Sequence, residues 1–352
     1  MADFRKKLLR PWLLGISVVT VGMVGSLFLA QQQAESIAKT QQLRIEQAAD
    51  LFSESLSRRL DAYAEIAFGL RSLFTVNPEL DRRAFFDAAH YLEIDARYPG
   101  IKNLAFTRYI TAVEKKAFEI KVRADKSIEA KGYPSFSIHP SGDRAEYFVA
   151  DYLWPEKGNS GIHGLDISAQ PTNLASMHYS RQTGKPVASG PFDLLQESQH
   201  RTGFVIRVPV FQRTRPKAKA DTEISPPANA AEPRFLGSVA VTIRLYDLIE
   251  ALEKEGRLQG LSVRMNDQGT WGTDGPTEGG TGTPPITRAL FSSSDTTPSN
   301  KVNVSRRLNV YNRQWELSFH ATDPFLSAAE RRQPPLIGLT RKIHDSWSAE
   351  SP

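Results

Sequence analysis

The sequence contains no cysteine among its 352 residues. This absence excludes disulfide bonds, thiolate metal sites and cysteine-based catalysis. It does not decide the cellular compartment, because exported bacterial domains often lack cysteine.

Basic charge is scarce where nucleic-acid binding needs it. The formal net charge is +5, and the basic clusters lie near the two ends of the chain, within residues 5–10 and 331–342. A nucleic-acid-binding protein carries a basic stripe on one folded face. The middle of this chain has no such cluster, so we predict no nucleic-acid partner.

The motifs of familiar enzyme classes are also missing. The sequence has no P-loop, no G-x-S-x-G and no H-E-x-x-H. Its seven histidines show no spacing typical of metal ligands. The glycine-rich run at residues 279–282 lies in a low-complexity stretch and precedes no helix. We therefore predict neither an enzyme nor a metal or organic cofactor.

One long hydrophobic run is present, at residues 12–30, and no charged residue occurs between Pro11 and Ala34. About 20 apolar residues cross the hydrocarbon core as a helix. Basic residues precede the run and mixed charges follow it, which places the N-terminus in the cytoplasm. We predict a single-pass protein of the bacterial inner membrane, with a cytoplasmic tail at 1–11, a transmembrane helix at 12–30 and a periplasmic remainder.

A cleaved signal peptide is the alternative interpretation of this run. Cleavage after Ala30 would place Phe28, and cleavage after Ala34 would place Gln32, at a position that prefers a small side chain. Both are bulky, which favours an uncleaved anchor.

A long helical pattern follows the membrane segment. No proline or glycine occurs between Gln31 and Phe68, and Asn77-Pro78 ends the pattern. Apolar residues recur every three or four positions and form one stripe. We predict a stalk helix at 31–76 whose lower half pairs with a second copy of the chain and whose upper half packs on its own domain. The stripe consists of Ile45, Ala49, Phe52, Leu56, Leu60, Tyr63, Ala67, Leu70 and Phe74.

Short helices and strands alternate after the stalk, which predicts an α+β fold with two PAS-like α/β lobes. The membrane-distal lobe would lie within residues 77–250 and the membrane-proximal lobe within 251–330. Residues 212–234 are predicted to form a solvated loop, and 269–300 a mostly flexible excursion. The predicted helices are 81–97, 113–123, 171–181 and 246–255, and the predicted strands are 104–110, 147–154, 203–211, 235–245, 261–266, 302–311 and 315–321.

Four groups of spaced residues resemble one known family in their order and spacing, across roughly residues 85–248. This family is the CHASE domain, the extracytoplasmic sensor of many bacterial histidine kinases and diguanylate cyclases and of plant cytokinin receptors. The groups are Tyr98-Pro99-Gly100-Ile101 with Leu104-Ala105-Phe106; Arg144, Tyr147, Tyr152, Pro155 and Asn159 before Gly164-Leu165-Asp166; Thr183-Gly184-Lys185 before Ser189-Gly190-Pro191-Phe192 and Leu194; and Gln199, Gly203 and Val208-Pro209-Val210-Phe211.

The resemblance implies a pocket for a small molecule in the distal lobe. Such pockets are mainly apolar, with a few polar groups that orient the ligand. Asp151 and Ser189 would bond an amine, amide or hydroxyl, whereas Asp166 fits a helix cap or loop brace better. Strand alternation places Asp151 on the same face as Tyr147 and Leu153, so one of these assignments must be incidental. The candidate residues are Tyr147, Asp151, Tyr152, Asp166, Ser189, Phe192, Phe204 and Arg207.

The sequence departs from the family pattern at three places, one of which is Tyr179, where a small residue is common. It has Thr172-Asn173 where many members carry paired arginines. Near Pro155-Glu156 it has no secure counterpart of the acidic residue that holds the adenine ring in plant receptors. We therefore do not expect cytokinin to be the ligand.

The last segment, residues 331–352, begins like a second membrane span and then turns polar at Thr340. Its apolar run is too short to cross a bilayer. We read the chain as a sensor truncated or frame-shifted before a cytoplasmic kinase or cyclase. The alternatives are a membrane-tethered binding protein without signalling output, and an envelope enzyme that uses carboxylates such as Asp151.

Overall fold

A computed structural model describes residues 2–195, 202–212, 233–272, 275–276, 287–293, 303–322 and 325. Side chains are described from residue 15 onward, except those at 271, 272, 275 and 276. Most of the predicted loop at 212–234 and the whole predicted tail at 331–352 lie outside these ranges.

The N-terminal part of the architecture is one continuous helix, α1, which spans Ala2–Val76. It ends where the sequence predicts, because a residue before proline disfavours helical geometry. The amide of Asn77 still donates to the carbonyl of Leu73 at 2.8 Å, and the side-chain oxygen of Asn77 accepts the amide of Glu79 at 3.1 Å. Membrane-span and stalk segments are thus parts of a single rod.

The helix predicted at 81–97 is interrupted in the structure. Helix α2 spans Arg82–His90 and begins as expected at Asp81, whose carboxylate accepts the amide of Ala84 at 2.8 Å. Glu93 then adopts a left-handed conformation with φ of 49°, which ends the helical run. A separate turn, α3, follows at Ile94–Arg97.

The next elements form an antiparallel sheet, the first sheet, with strand order β2-β1-β6-β5-β3 and with β4 paired to β5. Its four long strands match the predicted ones, and the sequence missed only the two-residue strands β3 and β4. The elements are β1 Ile101–Thr111, α4 Lys115–Arg123, β2 Glu146–Trp154, α5 Pro171–Thr183, β3 Val187–Ala188, β4 Phe192–Asp193, β5 Thr202–Gln212 and β6 Arg234–Arg244.

The two faces of the first sheet differ in side-chain size. One face packs on α1 with large apolar side chains, and Phe74 of α1 stacks on Phe106 of β1 with ring centroids 4.1 Å apart. The other face lies under α5 and the segment at 155–170. Its central positions are small or polar: Asn103, Ala105, Thr107, Ala150, Ser238, Ala240 and Thr242.

The remaining elements build the second sheet, with order β10-β11-β7-β8 and with β9 paired to β7. The prediction of a mostly flexible stretch at 269–300 is wrong for its described parts, since the end of β7 and all of β8 and β9 fall there. These pieces are short and pair only at the sheet edge, so they leave little periodicity. The elements are α6 Leu245–Lys254, β7 Leu261–Gly272, β8 Gly275–Pro276, β9 Arg288–Ser292, β10 Asn303–Val310 and β11 Arg313–Ala321.

Helix α1 packs on both sheets through one apolar core. Phe52 of α1 meets Phe319 of β11 edge to face, with centroids 5.6 Å apart. Between the sheets, Phe204 of β5 meets Trp315 of β11 at 5.0 Å. These residues belong to a single buried cluster. The predicted α+β fold with two lobes on one long helix is confirmed, whereas the predicted lobe boundary, between residues 250 and 251 inside α6, stays a prediction.

We predict that Phe52→Ala lowers the stability of the full chain by about 3–5 kcal/mol, because it opens a cavity in the core that joins helix to sheet. Phe52 is fully buried. The measurement is the thermal unfolding of the full chain in nanodiscs. Val76→Ala is the control, since Val76 lies on the same helix and is 87% exposed. Equal losses in both variants would contradict the assignment of α1 to the core.

Candidate ligand-binding site

A cavity of about 50 Å³ lies between the small-residue face of the first sheet and the segments that cover it. We name it the Arg207 cavity. One water molecule needs a cavity volume of roughly 10–15 Å³, so this cavity holds several waters or a small ligand. The sheet contributes Asn103, Ala105, Thr107, Ala150, Leu153, Val205, Arg207, Ala240 and Thr242, and the cover contributes Ile162, Leu165, Ile167, Gln170, Asn173, Phe192 and Leu194.

Asp166 fixes the cover on one side of this cavity. Its buried carboxylate accepts the amide of Phe148 on β2 at 3.1 Å and the amide and hydroxyl of Ser168 at 3.2 and 2.6 Å. These bonds tie the covering loop to the sheet, so that Leu165 and Ile167 lie over the cavity. Asp166 therefore acts as the loop brace that the sequence favoured, and it does not line the cavity.

Ser189 holds the other side of the cover. Its hydroxyl accepts the amide of Val205 at 3.0 Å and donates to the carbonyl of Gly190 at 2.9 Å. The chain that follows carries Leu194 onto β5 at Gly203. A side chain on Gly203 would place its Cβ 2.7 Å from Leu194, so glycine is required for this closure.

Arg207 projects from β5 into the same cavity and is almost completely buried, with 1% of its surface exposed. Its Nε donates to the hydroxyl of Ser176 at 2.8 Å, Nη1 donates to the hydroxyl of Ser238 at 2.9 Å, and Nη2 donates to the side-chain oxygen of Asn173. All three acceptors are neutral. Burial lowers the pKa of Arg207 to about 9, because the charged form loses its hydration.

A second cavity, of about 270 Å³, lies on the opposite side of the sheet beside α2 and α4. We name it the Asp151 cavity. Asp151 accepts Arg82 Nη2 at 2.9 Å and Arg108 Nε at 2.6 Å, and Arg82 also bonds Asp125 at 3.0 Å. Desolvation is the largest influence on Arg82, yet the attraction of Asp151 leaves its pKa raised. The charges at this site thus compensate one another.

A β-bulge explains the direction of Asp151. Phe106 pairs with Tyr152 and Thr107 pairs with Ala150, so that Asp151 is the extra residue without a partner on β1. Asp151 and Tyr152 consequently both line the Asp151 cavity. The Tyr152 hydroxyl donates to the carbonyl of Leu80 at 2.9 Å, and burial raises its pKa to about 12.

The structure places two candidates away from both cavities. Tyr147 packs beneath α4, where its hydroxyl donates to the carbonyl of Gly142 at 3.0 Å. Phe204 faces α1 and Trp315. Only Phe192 and Arg207 of the eight candidates line the Arg207 cavity, and a ligand role for any of the eight stays a prediction.

Sequence reasoning missed most of the polar residues around Arg207. Asn103 accepts the hydroxyl of Thr242 at 2.9 Å within the cavity wall, while Asn173 and Ser176 reach Arg207 from α5. One signal was available in β6, where Ser238, Ala240 and Thr242 alternate with large apolar residues. Small side chains on one strand face leave room above the sheet. Within the described ranges, no three His, Asp or Glu side chains gather closely enough to hold a metal ion.

A family model for the CHASE domain matches residues 78–278. The match begins just after α1, runs through the first sheet and both cavities, and ends after β8. No protein of curated function matches the sequence.

Three solved structures share features of the fold over 79% of this chain. They are an extracellular ligand-binding receptor from Desulfohalobium retbaense DSM5692 (10% identity, TM-score 0.46), the ligand-binding domain of the Pseudomonas aeruginosa PAO1 amino-acid chemoreceptor PctC in complex with GABA (10%, 0.40) and methyl-accepting chemotaxis protein X (13%, 0.42). This chain covers 40%, 98% and 96% of them, respectively, and thus under half of the first. Likeness at this level carries no information on ligand or activity.

His163 in the covering loop makes the stability of this region depend on pH. Its ring contacts Phe136 and Tyr133, with centroids 4.8 and 4.9 Å away. Burial, aided by the positive charge of Arg82, lowers the pKa of His163 to about 4. The unfolded chain therefore binds an extra proton between pH 6.5 and about 4, and folding loses free energy as pH falls through this window.

We predict that the free energy of unfolding falls by roughly 2 kcal/mol between pH 7 and pH 5 because of His163, and that His163→Phe removes this fall. The measurement is the difference in melting temperature of the full chain between the two pH values. His178→Gln, at an exposed position on α5, serves as the control and should keep the difference. An unchanged pH dependence in His163→Phe would refute the assignment.

Proposed function

This chain belongs to the CHASE domain family, and from that membership we propose that it is the membrane-anchored, extracytoplasmic ligand-sensing part of a signal-transduction receptor. The observation that carries the proposal is the Arg207 cavity. It lies inside the family match, on the sheet face that is free of α1. Small side chains below and a covering segment above give it the form of a ligand pocket.

The exposed apolar part of α1 supports the membrane anchor. The described helix from Gly15 contains an apolar stretch long enough to cross a bilayer, and none of that stretch is buried in the protein. Val18 and Val21 are 71% and 72% exposed. A helix that is apolar on all sides is stable when lipid surrounds it. The basic flank at residues 5–10 then places the folded region outside the cytoplasm.

Contacts between the pocket cover and the second sheet support a signalling role. The amide of Ala188 in β3, next to Ser189 at the edge of the cover, donates to the side chain of Asn312 in the β10–β11 turn at 2.8 Å. On the same hairpin, Arg306 bonds Asp50 of α1 at 2.5 Å. A ligand that shifts the cover would thus move elements bound to the stalk. It transmits a signal only if it binds the two conformations with different affinity.

The stalk also offers a surface for a second copy of the chain. Leu43 and Leu51 of α1 are 50% and 44% exposed beyond the membrane segment. Pairing of two stalks would remove these side chains from water. We place the homodimer contact along this part of the stalk.

A single cysteine tests both the orientation and the pairing, because the natural chain has none. We predict that Leu43→Cys reacts with a membrane-impermeant maleimide added to intact cells and forms a disulfide-linked dimer on mild oxidation. Tyr91→Cys, at a position 80% exposed on the head, should react with the maleimide without crosslinking. Lack of labelling at both positions would contradict the topology, and a Leu43→Cys chain that stays monomeric would contradict the dimer.

The sensing role itself predicts a ligand. We expect that, in a metabolite screen, at least one compound raises the melting temperature of the full chain in nanodiscs. At 100 times its Kd, such a compound would raise the free energy of unfolding by about 2.7 kcal/mol. Ala240→Leu fills the Arg207 cavity and should abolish the shift. Ala175→Leu, at an exposed position on α5, should keep it.

Binding that survives Ala240→Leu, or a screen without any stabilising compound, would count against this pocket as the sensor site. A ligand that binds there but leaves crosslinking of the stalks unchanged would favour the tethered binding protein over the receptor.

A further inference from the structure

Among the described residues, the buried positive charge of the Arg207 guanidinium has no negative partner. Three arginines are buried among the described residues: Arg82, Arg207 and Arg313. Arg82 bonds Asp151 and Asp125, and Arg313 bonds Asp267 through Nε at 2.9 and 3.0 Å. Arg207 alone of the three has only hydroxyl, amide and thioether acceptors.

This arrangement is unfavourable for the empty protein. Transfer of an ion into the protein interior is costly, and neutral hydrogen-bond acceptors offset only part of that loss. A brace between β5 and α5 does not need a charge, because the two N–H groups of a neutral amide side chain can donate to two of these three oxygens. The charge itself therefore requires another explanation.

The guanidinium also keeps capacity for one more acceptor. It has five N–H groups, of which three donate to Ser176, Ser238 and Asn173, and Nη1 additionally faces the weakly accepting sulfur of Met177 at 3.7 Å. Arg207 lines the cavity, so an oxygen of a bound molecule can approach it there.

The rest of the cavity wall suits the same kind of molecule. No aspartate or glutamate is among the described residues that line it, so none of these residues repels a negative charge. Thr107 and Gln170 offer hydrogen bonds, and Phe192 and Leu194 offer apolar contact. The volume of about 50 Å³ limits the ligand to a few non-hydrogen atoms unless the cover moves.

We propose, on the basis of the sensor function above, that the ligand of the Arg207 cavity is a small carboxylate whose charge is received by Arg207. The carboxylate would take the place of the missing counter-charge, as Asp151 and Asp267 do for the other buried arginines. The Asp151 cavity, although larger, has its charges already paired and is not the site of this ligand.

The test compares acids with their amides. The full chain in nanodiscs is titrated with the sodium salts of short carboxylic acids from acetate to glutarate, including lactate and pyruvate, and with the corresponding amides at equal ionic strength. We expect at least one carboxylate to raise the melting temperature and to bind in calorimetry, and its amide to bind about 100-fold more weakly, since charge-assisted bonds to arginine are lost.

Variants of Arg207 separate ligand recognition from a structural role. Arg207→Gln should weaken binding of the carboxylate about 100-fold, while the empty protein melts at the same or a higher temperature because the buried charge is gone. Arg207→Met removes the hydrogen bonds to α5 as well, so its loss of stability measures how much these bonds stabilise the fold. Arg97→Gln, at an exposed position, should change neither property.

Three results would overturn the inference: no carboxylate in the series binds, acid and amide bind equally, or carboxylate binding survives Arg207→Gln. If a neutral metabolite binds in the cavity and is excluded by Ala240→Leu, the sensor function stands and only the carboxylate assignment fails. If no compound of any class binds, both fail.

Discussion

The apolar stripe of α1 determines the arrangement of everything else in this protein. A single rod buries one side against both sheets, from Ile45 near its middle to Phe74 near its end. Large side chains fill this interface, and Phe204 and Trp315 join the two sheets behind it. Because α1 packs on one face of the first sheet, the Arg207 cavity forms on the opposite face, and the Asp151 cavity on the α1 side lies beside α2 and α4. The face with the Arg207 cavity is covered by loops and α5, which are held by a few polar residues.

The two cavities differ in whether their buried charges have partners of opposite charge among the described residues. Asp151 lies between two arginines, so its carboxylate and its neighbours satisfy one another. Such a cluster fixes the junction of α2, α4 and β2, and it would lose stability if one member were removed. Arg207 has the opposite arrangement, with a charge held in place by neutral groups. In the sensor that we propose, a carboxylate ligand would supply the counter-charge to Arg207.

The same contacts that close the pocket connect it to the stalk. Ser189 and Leu194 hold the cover to β5, Ala188 joins it to Asn312 of the second sheet, and Arg306 joins that sheet to α1. Each contact is short and direct, and packed elements change between discrete arrangements more readily than they deform. The cover, the β10–β11 hairpin and α1 are therefore the elements whose relative positions a ligand would change.

The sequence by itself determined the features that depend on neighbours along the chain. The uncharged run at 12–30, the apolar stripe of the stalk, the stop at Asn77-Pro78, the cap at Asp81 and the long strands all follow from spacing and backbone preference. It also determined the family, since the spaced motifs resembled the CHASE domain that the family match identifies. It named Arg207 and Asp151 without distinguishing their roles.

Only the tertiary structure decided those roles. Alternation assigns Phe204 and Arg207 to opposite faces of β5, but it does not say which face meets α1, so it could not decide which of the two candidates faces a pocket. Regular alternation would have placed Asp151 on the same face as Leu153, but the bulge at Asp151 interrupts this alternation. The partners of Asp151 and Arg207 lie 69 and 31 residues away along the chain. Whether a buried charge is compensated depends on contacts between distant segments, which no local pattern encodes.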